Sequence, residues 1–220
     1  MYGFSDNGAE EFSGQVLEWI AAVNRIVRDS GAMLEGNLCY HHATQDLSGP
    51  PDPTRAHKRR NFIQATRGKS RLLEVGFNAG HSAILALAAN PRLHYVGVDI
   101  CSNAYTEKCA EYLAGVFGSR FEMLKGNSLE VLPNIATHRN DVFDVFHVDG
   151  GHGESIARTD ISNCIHIARR SKRCHLIMDD THSLMIQRVY DEFISLGHLR
   201  TETFGGKWNN SESQFAEIVV

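Results

Sequence analysis

The sequence contains no long apolar run, and this absence excludes one class of protein. No apolar stretch in the 220 residues approaches the roughly 20 that a helix needs to cross a bilayer. The first residues, MYGFSDNGAEEF, are acidic and polar, whereas a signal peptide begins basic and then turns apolar. We therefore expect neither a membrane span nor a secretory leader, and we expect the protein to act in the cytoplasm.

Cysteine is scarce and irregularly placed. The five cysteines stand at positions 39, 101, 109, 164 and 174, form no C-x-x-C pair and leave one over from any pairing. Zinc clusters need closely spaced cysteines, and disulfide frameworks need even numbers of them. The sequence therefore predicts free, buried thiols in a reducing compartment.

An excess of positive charge is also missing. The formal net charge is −4, so the chain as a whole attracts neither nucleic acid nor an anionic membrane. Its length suits one structural domain, in which residues 1–54 form an N-terminal helix and lid region and residues 55–220 form the main fold. The sequence leaves open whether copies of the chain form a homo-oligomer.

Short apolar runs alternate with segments whose apolar residues have helical spacing. A first strand opens the stretch 72–83, and the further predicted strands are 93–98, 121–125, 143–148, 174–178, 199–204 and 214–220. The predicted helices are 13–29, 55–68, 81–89, 104–117, 128–136, 154–170 and 183–196. This alternation predicts an α/β fold: a Rossmann-like, doubly wound, mostly parallel sheet of seven strands with helices on both faces, preceded by N-terminal helices and a lid loop.

Two segments without periodicity are candidates for substrate binding. Residues 36–54, GNLCYHHATQDLSGPPDPT, predict a long loop, and long loops in compact domains are often lids. His41 and His42 within it are candidate substrate contacts. The segment 204–213, FGGKWNNSES, carries Trp208, which can stack on a ring or pack in the fold.

The stretch LLEVGFNAGHSA, residues 72–83, predicts a strand that turns tightly into a helix over a ligand. Its pattern runs from Glu74 through Gly76 to Gly80, and it differs from the G-x-G-x-x-G fingerprint of dinucleotide sites. A carboxylate beside the turn repels phosphate and suits an amine, while glycines let the backbone approach a ligand closely. Ser82 or the helix amides can receive a carboxylate. A group that carries both charges fits, and we infer S-adenosylmethionine as the cofactor.

Two further strand ends carry polar residues that suit a nucleoside. Asp99 ends the second predicted strand, 23 residues after Gly76, where an acid accepts both ribose hydroxyls in nucleoside-binding α/β folds. Asn127 and Ser128 follow the third strand and can form hydrogen bonds with an adenine edge. The order and spacing of these signals support the same cofactor.

Three carboxylates follow the fourth and fifth strands, in FHVDGGHGES and HLIMDDTHS. Asp149, Asp179 and Asp180 should project into one crevice, where they repel one another unless a cation neutralises them. Oxygen ligands of this kind suit Mg²⁺ or another divalent cation such as Mn²⁺. The structural alternative makes Asp180 a helix cap and Asp149 a turn residue before two glycines.

Histidines near these strand ends are candidate proton acceptors. His152 follows Asp149 beyond two glycines, and an ordinary pKa of about 6.5 suits it to take a proton from a hydroxyl. Asp149 and His152 are therefore the candidate catalytic residues. His147, inside an apolar strand, is interpreted as a core residue, and His81 and His182 remain candidates near strand ends.

These motifs resemble the class I S-adenosylmethionine-dependent methyltransferases, and within them the metal-dependent O-methyltransferases of the catechol O-methyltransferase type. LEVGFNAGHSA resembles that family's motif I, and Asp99 stands where the family keeps its ribose-binding acid. The resemblance implies that Asp149, Asp179 and Asp180 hold Mg²⁺ and that His152 replaces a catalytic lysine. The motifs together assign these residues to the cofactor site: Glu74, Gly76, Phe77, Asn78, Gly80, Ser82, Asp99, Ile100, Asn127, Ser128 and Asp149.

VDGGH and DDTH, with Asp160 between them, are more similar to bacterial methyltransferases that include macrolide-sugar O-methyltransferases, in which the corresponding histidine is the proposed base. The resemblance covers about residues 70–182 and identifies 55–220 as the methyltransferase domain. Asp180 replaces the usual Asn of the catechol enzyme. ARRSKRC replaces a Pro-Gly-Gly turn before the fifth strand.

The resemblance implies Mg-dependent methyl transfer to a hydroxyl of a small molecule such as a sugar, a catechol or another natural-product intermediate. One alternative is an RNA substrate, because HKRR at 57–60 with Arg67, Lys69 and Arg71, together with ARRSKR at 168–173, can form a basic surface. The charge of a helix end explains ARR equally well, so nucleic acid is the less favoured partner. The other alternative is a module that binds S-adenosylmethionine without turnover.

Overall fold

The computed structural model describes residues 2–4, 10–42, 46–171, 173–202 and 212–219. Its strands are β1 (Tyr2–Phe4), β2 (Glu10–Phe12), β3 (Arg71–Val75), β4 (His94–Asp99), β5 (Phe121–Lys125), β6 (Val145–Val148), β7 (Cys174–Asp179), β8 (Leu199–Thr201) and β9 (Ser213–Ile218). Its α-helices are α1 (Gly14–Ser30), α2 (Ala56–Thr66), α3 (His81–Ala89), α4 (Thr106–Phe117), α5 (Ser128–His138), α6 (Glu154–Ala168) and α7 (Leu184–Ser195).

Seven strands form one sheet in the order β5-β4-β3-β6-β7-β9-β8. The pairs from β5 to β7 are parallel, and β9 runs antiparallel to both β7 and β8. The chain moves outward in one direction from β3 and in the other from β6, so strand order switches between these two strands. The predicted fold class is confirmed. Ligands of such sheets bind beyond the carboxyl ends of the strands at the switch.

The sheet is covered on both faces, as its apolar strands require. Side chains alternate across a strand, so Leu72 packs in the core on one face and Leu73 in the core on the other. Every residue of β7 is buried. The cap of helix α1 is Ser13, whose Oγ accepts a hydrogen bond from Val16 N at 3.4 Å. Burial of both faces explains why the strands read as nearly continuous apolar runs.

A small hairpin of β1 and β2 was absent from the sequence prediction. Strands of three residues carry too little periodicity to be detected. A buried ion pair holds the hairpin to α2, because Arg59 Nε and Nη2 each lie 2.5 Å from an oxygen of Glu10. Arg59 is 0% exposed, so this pair is part of the core.

The predicted loop 36–54 has no strand or α-helix among its described residues, and Pro53–Arg55 form a short 3₁₀ helix. The loop is anchored to the helices beneath it. Arg59 Nη1 donates to Leu38 O at 3.1 Å and to Asp52 O at 3.0 Å. Asn24 Nδ2 donates to Leu47 O at 3.1 Å. Residues 43–45 of this loop lie outside the described part of the chain, as do 203–204 and 220 of the predicted tail strands.

Candidate active site

One cavity of about 950 Å³ opens at the carboxyl ends of the parallel strands. Most of the sequence-predicted site residues line it: Gly76, Asn78, Asp99, Ile100, Asn127, Ser128, Asp149, His152, Asp179 and Asp180. His182 and the loop residues Gly36, His41 and His42 also line the cavity. The topology thus brings together residues that lie far apart in the sequence.

Two glycines of the first motif are required by close packing. Gly76 has φ +95°, and a Cβ at this position would lie 1.9 Å from the backbone oxygen of Asp149. Gly80 has φ +80°, and a Cβ there would lie 2.6 Å from side-chain atoms of Leu113 and Phe77. Any larger residue would therefore push β3 away from β6 or α3 away from α4. Gly76 lines the cavity, whereas Gly80 supports the turn from behind it.

The carboxylate of Asp99 is held in place by backbone amides. Its Oδ2 accepts from Asn78 N at 2.8 Å and its Oδ1 accepts from Cys101 N at 2.7 Å. Each carboxylate oxygen keeps a second lone pair for a ligand hydroxyl. Asn78 and Cys101 both have positive φ, at 55° and 60°. These turns aim the acid into the cavity, where a ribose would meet it.

The helix that follows β5 begins at the cavity wall. Asn127 is the cap of α5, and its Oδ1 accepts from Leu129 N at 3.1 Å. Ser128 is the first residue of that helix and lines the same wall. Both residues line the cavity, the oxygen of Asn127 is engaged by the cap, and their contact with an adenine stays a prediction.

Four residues predicted to bind the cofactor are not on the cavity wall: Glu74, Phe77, Gly80 and Ser82. Glu74 is 0% exposed, and Ser82 Oγ donates to its Oε2 at 2.7 Å. The hydroxyl of Tyr95 also donates to Oε2, and His147 Nδ1 lies 2.6 Å from Oε1. Glu74 is fully buried and not on the cavity wall, so its carboxylate stabilises the turn in this structure, and its contact with a ligand amine stays a prediction.

Asp149 and Asp179 form a carboxylate cluster together with His147. One possible ligand atom from each residue lies within 4.8 Å of the others. Burial and the neighbouring Asp179 raise the pKa of Asp149 well above its ordinary value. Burial opposes ionisation of Asp179, yet Lys58 and His147 lower its pKa to about 2. The pair therefore needs positive charge close by.

Lys58 supplies positive charge to this cluster, and the sequence prediction missed it. Its Nζ lies 2.8 Å from Asp179 Oδ2, and its side chain is 6% exposed. The signal was present, because Lys58 stands on the buried stripe of α2 that Phe62 and Ala65 continue at helical spacing. His147, interpreted as a core residue, is indeed buried, but the same position makes it a member of the acidic cluster.

His152 and Asp180 form an ion pair at the mouth of the cavity. His152 Nε2 lies 2.9 Å from Asp180 Oδ2, and the His152 side chain is 72% exposed. The hydrogen bond that His152 donates to the Asp180 carboxylate raises the pKa of His152 above its ordinary value. Asp180 has φ 56°, a conformation that costs energy in a residue other than glycine, and such strain often marks functional sites. Asp180 is not in the cluster of Asp149, Asp179 and His147.

Half of the basic segment HKRR is buried. Lys58 and Arg59 are buried at 5% and 0% exposure and both pair with acids, whereas His57 and Arg67 are exposed. In the second basic segment Lys172 lies outside the described residues, as does the predicted ring contact Trp208 in the tail. Lys58 and Arg59 therefore cannot contribute to a basic surface, and the RNA alternative stays a prediction.

Comparison with known proteins gives one family and several similar folds. Residues 73–181 match the family model of a methyltransferase domain. No curated protein sequence matches the chain. An O-methyltransferase from Bacillus cereus, solved in complex with SAH, is 15% identical with a TM-score of 0.65 and covers 95% of this chain and 92% of its own.

Two further solved structures share the fold. The O-methyltransferase TomG from Streptomyces achromogenes, involved in tomaymycin synthesis and solved with SAM, is 18% identical with a TM-score of 0.61, covering 92% of this chain and 89% of its own. The MycE methyltransferase of the mycinamycin pathway, solved with Mg and SAH, is 17% identical with a TM-score of 0.52. That match covers 74% of this chain and 48% of MycE. At these identities the likeness concerns the fold.

Proposed function

We propose, from the premise that this chain is a methyltransferase-domain protein, that it transfers a methyl group from S-adenosylmethionine to a hydroxyl of a small molecule with the help of a divalent cation. One observation carries the proposal. A single cavity joins Asp99, which suits a ribose, to the acidic cluster and to the His152–Asp180 pair, which suit a hydroxyl. Methyl donor and acceptor would therefore meet in one space.

The cofactor would lie across the switch between β3 and β6. Asp99 would accept hydrogen bonds from the ribose, and Ser128 would face the adenine. Asn103 Nδ2 donates to Glu35 Oε1 at 3.2 Å, and this hydrogen bond links two further residues of the cavity wall. Structures with the same fold bind SAH or SAM, which supports this choice of cofactor. When bound, S-adenosylmethionine supplies an activated methyl group.

The donor set fits a divalent cation such as Mg²⁺ or Mn²⁺. Asp149 and Asp179 offer carboxylate oxygens at the cavity wall, and His147 offers an imidazole nitrogen within the same 4.8 Å. Burial and the neighbouring Asp179 raise the pKa of Asp149, and a cation bound beside it would favour the ionised carboxylate. A cation bound there would lower the pKa of a substrate hydroxyl. The MycE structure contains Mg, which supports the proposal, and Asp180 as a third ligand stays a prediction.

The chain's own residues would then move the proton and position the reacting oxygen. His152 Nδ1, the ring nitrogen that Asp180 leaves free, would take the hydroxyl proton as the substrate oxygen accepts the methyl group. Asp180 would hold the N–H at Nε2, orient the imidazole and stabilise its charged form. His152 is 72% exposed and lines the cavity, which supports a role beside an entering substrate. The anchored loop residues Gly36, His41 and His42 would exclude water from the donor side.

We favour a small substrate over RNA. Two of the basic residues that suggested RNA, Lys58 and Arg59, are buried in ion pairs, and the net charge of −4 repels a polyanion. The five cysteines are all free thiols, which is in keeping with the expected cytoplasmic location. Among the described residues no helix is long and apolar enough to cross a membrane.

The decisive experiment measures turnover directly. The protein is incubated with S-adenosylmethionine and a panel of phenols, catechols and glycosides, and SAH production is followed with and without Mg²⁺. We expect SAH to accumulate with at least one hydroxyl acceptor and not in the acceptor-free control. Tight cofactor binding without turnover on any acceptor would instead indicate a non-catalytic binding module, and turnover on transcribed RNA alone would indicate the other alternative.

A further inference from the structure

Lys58 places an ammonium group inside the acidic cluster of the cavity. Its Nζ lies 2.8 Å from Asp179 Oδ2 and 3.7 Å from Glu212 Oε2, and the Asp179 side chain is only 2% exposed. Lys58 itself lines the cavity wall. The ammonium group of Lys58 is therefore a permanent positive charge beside Asp179, the carboxylate to which the proposed function assigns a divalent ion.

The carboxylate of Asp179 is fully engaged by protein donors. Its Oδ1 accepts from Ser213 Oγ at 2.8 Å and from Asp180 N at 2.9 Å. Its Oδ2 pairs with Lys58, and His147 Nε2 lies 4.0 Å away. A divalent ion that uses Asp179 must therefore share or replace these contacts. It must also tolerate the charge of Lys58, because like charges a few ångströms apart repel strongly away from bulk water.

The backbone of Lys58 is held in place, whereas its side chain has an alternative partner. Arg59, the next residue, is bound to Glu10 and to the carbonyls of Leu38 and Asp52, so α2 cannot shift easily. The lysine stem is flexible, and Nζ lies 3.7 Å from Glu212 Oε2, slightly beyond hydrogen-bonding distance. The ammonium can thus exchange Asp179 for Glu212 by a side-chain rotation.

We propose that Lys58 is a tethered cation that competes with the divalent ion for Asp179 and thereby weakens metal binding by this site. The inference rests on the proposed cation site and adds a residue that governs its affinity. Without Lys58 the cluster would carry one more uncompensated negative charge. A divalent ion would then be the nearest available cation, and it would bind more tightly.

The test measures Mn²⁺ binding without methyl donor or acceptor, from the electron paramagnetic resonance signal of free Mn²⁺. Lys58→Met should bind Mn²⁺ at least tenfold more tightly than the wild type. Lys58→Arg, which keeps the charge, should bind no more tightly than the wild type. Lys69→Met is the matched control, because it also removes a partly buried lysine. Lys69 lies just before β3, at the amino ends of the parallel strands and away from the cavity, so its loss should leave Mn²⁺ affinity unchanged.

Several outcomes would overturn the inference. Equal or weaker Mn²⁺ binding by Lys58→Met would do so, as would tighter binding by Lys58→Arg. If Lys58→Met does not fold alone, Mn²⁺ should restore its cooperative thermal unfolding, and failure to do so also counts against the inference. If methyl transfer persists in chelator and no variant binds Mn²⁺, the proposed cation site is refuted. The proposed methyl transfer would still stand in that case.

Discussion

Nδ1 of the His147 imidazole lies 2.6 Å from Oε1 of Glu74, and both side chains are buried. This contact joins the first motif of the sheet to the acidic cluster, because Nε2 of the same ring lies 4.0 Å from Asp179. A carboxylate without exposure to water is stable only when its oxygens are engaged. We infer that His147 is a structural partner of Glu74 as well as a neighbour of the proposed cation site.

Removing His147 should therefore destabilise the fold through Glu74. His147→Leu leaves the Glu74 carboxylate with only hydroxyl donors, and we expect a loss of roughly 2–4 kcal/mol in the free energy of unfolding. The double variant His147→Leu/Glu74→Leu removes the buried charge as well. Its loss should be smaller than the sum of the two single losses, measured by urea denaturation. Strictly additive losses would show that the two side chains are not coupled.

Asp99 should control cofactor affinity. Asp99→Ala removes charge-assisted hydrogen bonds to the ribose, and we expect S-adenosylmethionine binding to weaken by roughly 1–3 kcal/mol, measured by calorimetry. Glu107→Ala is the control, because this acid lies on nearby α4 and pairs with Lys125 outside the cavity. A thermal melt of each variant separates lost affinity from lost folding. Unchanged affinity in Asp99→Ala would refute the ribose assignment.

Chelation should stop methyl transfer. We expect the rate to vanish in EDTA and to return with Mg²⁺ or Mn²⁺, since the cation would acidify the substrate hydroxyl. Asp149→Asn should lose the metal-stimulated rate and keep the affinity for S-adenosylmethionine within a few-fold. Steady-state kinetics and calorimetry check the two parts. A full rate in chelator would mean that the acidic cluster is structural.

His152 should act as the base. His152→Ala should reduce kcat by roughly 10²–10⁴-fold with little effect on cofactor affinity. The neutral imidazole is the active form, and Asp180 raises its pKa, so the wild-type rate should rise with pH through a value above 6.5. The variant should lack this limb. His182→Ala, which removes another exposed histidine near Asp180, is the control, and a wild-type kcat in His152→Ala would transfer the role to His182.

His81 should make the fold sensitive to acid. Burial lowers its pKa from 6.5 to about 3, and its Nε2 lies 2.9 Å from Asn24 Oδ1. The unfolded chain binds a proton below pH 6.5 while the folded chain does not, so stability present above that pH is lost as the pH falls toward 3.

The loss from His81 should approach roughly 1.4 kcal/mol per pH unit within this window. Urea denaturation of the wild type and of His81→Gln, between pH 7 and pH 4, isolates the contribution as the difference between two curves. We expect the variant's stability to fall less steeply with acid. Parallel curves would show that the histidine does not resist protonation.

The sequence by itself determined the order of the elements and the edge at which the site would form. Apolar runs marked the five parallel strands of the main sheet, since buried parallel strands need apolar side chains on both faces, and the tail offered two further strand candidates. Asp99, Asp149 and Asp179 could be assigned to one crevice because each ends or follows a parallel strand. Gly76 could be recognised as a position where the backbone is closely approached, and the structure shows that the backbone of Asp149, just after β6, is what approaches it.

Only the tertiary structure decided which partners those side chains meet. The sequence placed Lys58 in a candidate basic surface. In the structure Lys58 is the counter-ion of Asp179, because α2 packs across the sheet beside β7. The sequence predicted that Glu74 contacts a ligand. In the structure Glu74 is the partner of His147, because β3 pairs with β6. Charge and periodicity are local properties of a chain, whereas the pairing of buried charges depends on strand order and helix packing between segments distant in sequence.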